Sequence, residues 1–105
     1  MGTESLNEME LLVMLALLRL GTKASDPTTI AEDIRDRTGR GVRRANVHAT
    51  LHRLQDKGFI SGVETPAASK GRAKIKIELE GIAAVRATTE GILTILARFD
   101  VEPED

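Results

Sequence analysis

Asp26-Pro-Thr-Thr-Ile-Ala-Glu-Asp-Ile-Arg-Asp-Arg-Thr-Gly-Arg-Gly-Val-Arg-Arg-Ala-Asn-Val-His-Ala-Thr-Leu-His-Arg-Leu-Gln-Asp-Lys57 is the stretch whose reading decides the fold. Asp26 supplies an N-cap oxygen, and Pro27 has the fixed φ that suits a first helical position. Ile30, Ala31 and Ile34 then mark an apolar stripe, which predicts a short helix running to about Thr38. Gly39 and Gly41 bracket Arg40 and give a helix stop followed by a turn. A further helix is expected over residues 44–57, where Val47, Leu51 and Leu54 fall on one face and the opposite face is polar. Two helices joined by a short glycine-containing turn have the helix-turn-helix form.

Working outward, residues 59–64 read as a strand and residues 73–79 as a second, in which Ile75, Ile77 and Leu79 alternate with Lys74, Lys76 and Glu78. Residues 65–72 form the hairpin loop between them, with a basic tip. Upstream, residues 6–20 are dense in Leu and Met, with Leu11, Leu12, Leu15 and Leu18, joined by Met14, at three- and four-residue spacings, and predict a nearly buried helix closed by Gly21. Downstream, residues 81–99 are long enough for five helical turns, although Gly91 weakens that helix by about 1 kcal/mol relative to alanine. The order is ααα-ββ-α, mainly α with a small β-hairpin, and is that of a winged helix-turn-helix. The expected organisation is a winged helix-turn-helix over residues 1–80, a dimerisation helix over 81–100 and an acidic tail over 101–105.

A chain of 105 residues fits one domain and leaves little material for a separate ligand-binding unit. Without cysteine there are no disulfides, thiolate metal ligands or cysteine nucleophile, and the composition suits a reducing cytoplasm. The longest apolar run, residues 11–18, is under half of the roughly 20 residues a membrane helix needs, and the segment before it is acidic, so neither secretion nor membrane insertion is expected. No glycine-rich phosphate loop or Ser-His-acid arrangement is recognisable, so no enzyme and no cofactor are expected. The net charge of −1 hides a segregation: residues 35–76 carry eleven Lys and Arg against Asp36, Asp56 and Glu64, whereas the flanks are acidic. The acidic flanks, with Glu4, Glu8 and Glu10 at one end and Asp100, Glu102, Glu104 and Asp105 at the other, are expected to keep nucleic acid away from the two ends.

DNA affinity needs cations aimed at phosphates. Arg40, Arg43 and Arg44 stand at the start of the third helix and Arg53 and Lys57 further along it, with Thr28 and Thr29 beginning the second. Base reading is expected from Asn46, Ala49, Thr50 and Arg53 on the polar face, and Arg43 and Arg44, near the helix start, suit either a base or a phosphate. At the wing tip Lys70 and Arg72 flank Gly71 and suit a phosphate or the minor groove. His48, His52 and Asp56 recur at i, i+4 and i+8, but two histidines with no third ligand elsewhere read as surface or core-edge residues, and no metal is expected. In the last helix Ile82, Val85, Thr89, Ile92, Leu96 and Phe99 make a heptad-like seam that Leu93 and Ile95 widen. Packing that seam against Leu11, Leu15 and Leu18 of a second copy would bury it and set two recognition helices about 34 Å apart.

Asn46-Val-His-Ala-Thr-Leu-His-Arg-Leu-Gln-Asp-Lys-Gly-Phe-Ile60 resembles the recognition helix and first wing strand of the PadR-like transcriptional regulators, with Leu51, Arg53, Leu54, Gly58 and Ile60 matching best. The likeness extends back through residues 11–21 and Thr29-Ile-Ala-Glu-Asp-Ile34 and forward through the wing, over about four-fifths of the chain. Departures are His48 where the family has Tyr, Arg43 where it has a Ser or Thr cap, and Ile75, Lys76, Ile77 and Glu80 where it has aromatics and a Thr. The resemblance implies a cytoplasmic repressor, dimeric through its first and last helices. The expected function is therefore a sequence-specific regulator that binds double-stranded DNA as a homodimer on a palindromic operator. The alternative is a winged-helix module whose basic face meets an acidic protein. A small-molecule effector has no support in the sequence, and with Phe59 and Phe99 as the only aromatics no stacking site for a flat ligand is expected.

Overall fold

The computed structural model describes residues 5–21, 26–63 and 75–99. Its elements are α1 (Glu8–Leu20), α2 (Pro27–Thr38), α3 (Arg44–Asp56), β1 (Ile60–Ser61), β2 (Lys76–Ile77) and α4 (Leu79–Arg98). The fold is mainly helical with one two-stranded antiparallel sheet, in which Ile60 faces Ile77 and Ser61 faces Lys76.

A capping box starts α1: the Asn7 side chain accepts from the Glu10 amide at 2.8 Å, and the Glu10 carboxylate accepts from the Asn7 amide at 3.0 Å. The inward face is Glu10, Val13, Met14 and Leu17, at i, i+3, i+4 and i+7, with Ala16 beside it. This corrects the reading of Leu11, Leu12, Leu15 and Leu18 as a nearly buried stripe, because Leu15 and Leu18 face solvent and Leu11 and Leu12 are only partly buried. In a Leu-rich run every face is apolar, so composition does not select the one that packs.

Asp26 caps α2 by accepting from the Thr29 amide at 2.8 Å, and Ile30, Ala31 and Ile34 point into the core. Gly39 ends the helix with φ 75°, a left-handed conformation that a Cβ disfavours, while its amide donates to the Arg35 carbonyl. In α3 Val47, Thr50, Leu51 and Leu54 are buried. Leu17, Ile30, Leu51, Leu54 and Ile60 are almost fully buried, each worth about 1.5–3 kcal/mol over an exposed side chain.

The hairpin is tied to the helices at both ends. The Val63 amide donates to Gln55 Oε1 of α3 at 2.8 Å, and the Ser61 hydroxyl donates to Glu78 Oε2 at 2.7 Å. The ladder is shorter than the expected strands over 59–64 and 73–79; residues 64–74 lie outside the described residues. Leu79, expected at the end of the second strand, instead opens α4 and is 80% exposed, since the chain has already turned into the helix at Glu78.

Only the first half of α4 packs. Gly81, Ala84 and Val85 are buried, and the Thr88 hydroxyl accepts from the Leu6 amide at 2.9 Å while donating to the Ala84 carbonyl. Gly81 lies so close to the hairpin that a Cβ there would stand 2.3 Å from the Phe59 carbonyl oxygen. The expected boundary between residues 80 and 81 thus cuts through the docked half of α4. From Glu90 to Phe99 every residue is exposed, including Ile92, Leu93, Ile95, Leu96 and Phe99. Among the described residues no helix is long and apolar enough to cross a membrane.

Candidate nucleic-acid interface

Because Val47, Leu51 and Leu54 fix which side of α3 is buried, they also fix which side is offered to solvent. That side carries Arg44, Ala45, Asn46, His48, Ala49 and Arg53, with Arg43 as the N-cap. Arg43 makes no side-chain capping bond, and neither it nor Arg44 has an ion-pair partner among the described residues. The first acid along α3 is Asp56, so the start of the helix presents uncompensated positive charge beside its own N–H dipoles.

Thr50 does not belong to this face. It is fully buried and its hydroxyl accepts from the Arg53 guanidinium at 3.2 Å, so it cannot reach a base edge. Its place was readable: Thr50 lies at i+3 from Val47 and i−4 from Leu54, inside the same apolar stripe. Thr28 is exposed at the start of α2, whereas the Thr29 hydroxyl turns back to Asp26 Oδ2 at 3.3 Å. Lys70 and Arg72 lie outside the described residues.

The remaining cations meet acids from α1. Arg40 Nη1 is 2.7 Å from Glu8 Oε1, with both side chains more than half exposed. Lys57 Nζ is 3.0 Å and Arg53 Nε 3.8 Å from Glu10 Oε2. The acids expected to stay at a remote end of the molecule are therefore folded against the basic face. Glu10, expected from the sequence only as a charge on an acidic flank, is 1% exposed. Burial acts to raise its pKa, but the Asn7 amide, Lys57 and Arg53 outweigh that, and the carboxyl titrates below its ordinary value of 4.5. The Asn7-x-x-Glu10 spacing ahead of an apolar run was the signal that could have found it.

Between the first turn of α1 and α3 runs a cleft of about 330 Å³, floored by Met9, Leu12 and Val42 and rimmed by Glu8, Arg40, Asn46, Ala49 and Arg53. On the other side of α1 an apolar trough of about 470 Å³ runs along α2, lined by Leu12, Leu15, Ala16, Leu18 and Ile34. The His48 and His52 rings stand edge to face at 4.6 Å, and among the described residues no group of three or more His, Cys, Asp or Glu is placed to hold a metal ion.

Of the expected dimerisation residues, Leu15, Leu18, Ile82, Ile92, Leu96 and Phe99 are exposed, and Leu11 and Thr89 are intermediate. Val85 is corrected, because it is buried in the core of its own chain and has no surface to offer a partner. The seam is thus split: its first turns serve the monomer, and its last two remain uncovered. No family model, no curated protein and no solved structure matches this chain.

Proposed function

We propose that the chain is a winged helix-turn-helix regulator of PadR-like type, cytoplasmic, which binds duplex DNA as a homodimer and represses transcription. The observation that carries this reading is the exposed start of α3, where Arg43 and Arg44 stand beside Asn46 with no ion-pair partner among the described residues, directly after α2 and its glycine-containing turn. Such a face supplies cations for phosphates and an amide for an adenine edge. The antiparallel pair β1–β2 follows α3 as a wing would, and the sequence between the two strands includes Lys70 and Arg72, cations of the kind that suit a phosphate or the minor groove. Self-association is supported by the uncovered Ile92, Leu96 and Phe99 on α4 and by Leu15 and Leu18 on α1.

Titration of the chain with duplex DNA over a salt series tests the reading. The wild type should bind at about 50 mM salt with a log K that falls linearly with log salt. Replacing Arg43 and Arg44 by alanine should make that slope shallower by about 0.9 for each phosphate no longer neutralised. Absence of duplex binding at low salt, or an unchanged slope in the double variant, would overturn it. Nuclease-resistant capture of a stoichiometric acidic protein would do so in favour of the interaction module.

A further inference from the structure

The two acids of α1 that meet the basic face are bound to it in different ways. Glu10 is buried, closes the capping box and holds Lys57, so it is a fixed part of the fold. Glu8 is exposed, its partner Arg40 is exposed, and neither is needed for the local backbone. The start of α1 is capped by Asn7 and Glu10, and the Arg40 amide is held separately by the Thr38 hydroxyl at 3.1 Å. Glu8 nevertheless rims the same cleft as Asn46, Ala49 and Arg53, three residues of the α3 face. A phosphate arriving at Arg40 meets a carboxylate already in place.

We infer that Glu8 is a built-in competitor for DNA. The inference rests on the DNA-binding reading and adds a control to the same surface: Glu8 occupies Arg40 in the free protein and must release it when a phosphate binds. An exposed pair of this kind is held weakly and exchanges with water, so it lowers affinity without blocking the site. The cost is the same on any duplex that engages Arg40, but occupancy of weakly bound random DNA falls in proportion, whereas an operator held by added base contacts stays filled. The acidic first turn of α1 therefore lowers nonspecific occupancy more than it lowers occupancy of an operator.

Fluorescence anisotropy with a random-sequence duplex of about 24 base pairs, long enough for two half-sites one turn apart, measures this directly. The chains compared are the wild type, Glu8→Gln, Arg40→Gln, the double variant, and Glu90→Gln as a control of equal charge change on the exposed half of α4. Glu8→Gln should bind about fivefold tighter at low salt, with a salt slope close to that of the wild type because Arg40 reaches the phosphate in both chains. That gain should largely vanish in the Arg40→Gln background, and Glu90→Gln should match the wild type. An unchanged Glu8→Gln, an equal gain from Glu90→Gln, or a full gain persisting without Arg40 each overturns the competitor role. If the wild type binds the duplex and Glu8→Gln does not differ, the inference alone fails; if no chain binds, the DNA-binding reading fails with it.

Discussion

Gly81 and Gly91 lie in one helix, ten residues apart, and face opposite circumstances. Gly81 sits against the Phe59 carbonyl and the Met14 side chain in the docked half of α4, whereas nothing stands within 4 Å of a Cβ built at Gly91. At the first position the absence of a side chain is required for the helix to reach the hairpin; at the second it costs helix stability and gives no packing in return. The contrast divides α4, about 30 Å long, into a part that belongs to the core and a part that stands out from it. Helices draw most of their stability from tertiary contacts, so a projecting half with five large apolar side chains is a surface left uncovered among the described residues.

The largest effect is expected at the docked half. Gly81→Ala should destabilise the chain by about 2–3 kcal/mol, since a backbone carbonyl cannot yield as a side chain can, and urea denaturation should show it. Next comes the acid that anchors the neighbouring turn of α1. Glu10→Gln should cost about 1–2 kcal/mol, less than a wholly buried pair because Lys57 can turn to solvent. The folded pKa of Glu10 is lowered, so its contribution is present above 4.5 and is lost as pH falls below that value through the folded pKa. An acid titration should therefore show wild type and Glu10→Gln converging in stability.

Smaller and opposite in sign is Gly91→Ala, which should stabilise by about 0.5–1 kcal/mol by favouring the helix at an uncrowded position. If alanine destabilised at both glycines, the division of α4 would be wrong. Least of all, Ile92→Ser with Leu96→Ser should leave the stability of the dilute chain within about 0.5 kcal/mol. The same double variant should abolish the proposed self-association in sedimentation equilibrium, whereas an assembly unaltered by it would place the interface elsewhere.

The sequence made the helices legible because their boundaries rest on local chemistry: Asp26-Pro27, Gly39 and the Val47–Leu51–Leu54 stripe act within one or two turns. It was less informative wherever a choice depended on distant neighbours. Nothing local distinguishes Val85, which the core takes, from Ile92, which it does not, because both sit on one regular seam. The ion pairs of Arg40, Arg53 and Lys57 with Glu8 and Glu10 join residues more than thirty positions apart, and counting charge along the chain separated groups that folding brings together. Thr50 and Glu10 are different cases, since spacing alone marked both, and their polarity drew the reading toward solvent.

The bonds from Val63 to Gln55 and from Ser61 to Glu78 hold both feet of the connection spanning 64–74 onto the helical body. Each bond ties the hairpin to a helix end, Gln55 on α3 and the N-cap Glu78 of α4. The mutual placement of those two helices is therefore set by side chains as well as by the two-residue ladder, and a change at either residue would be felt in both.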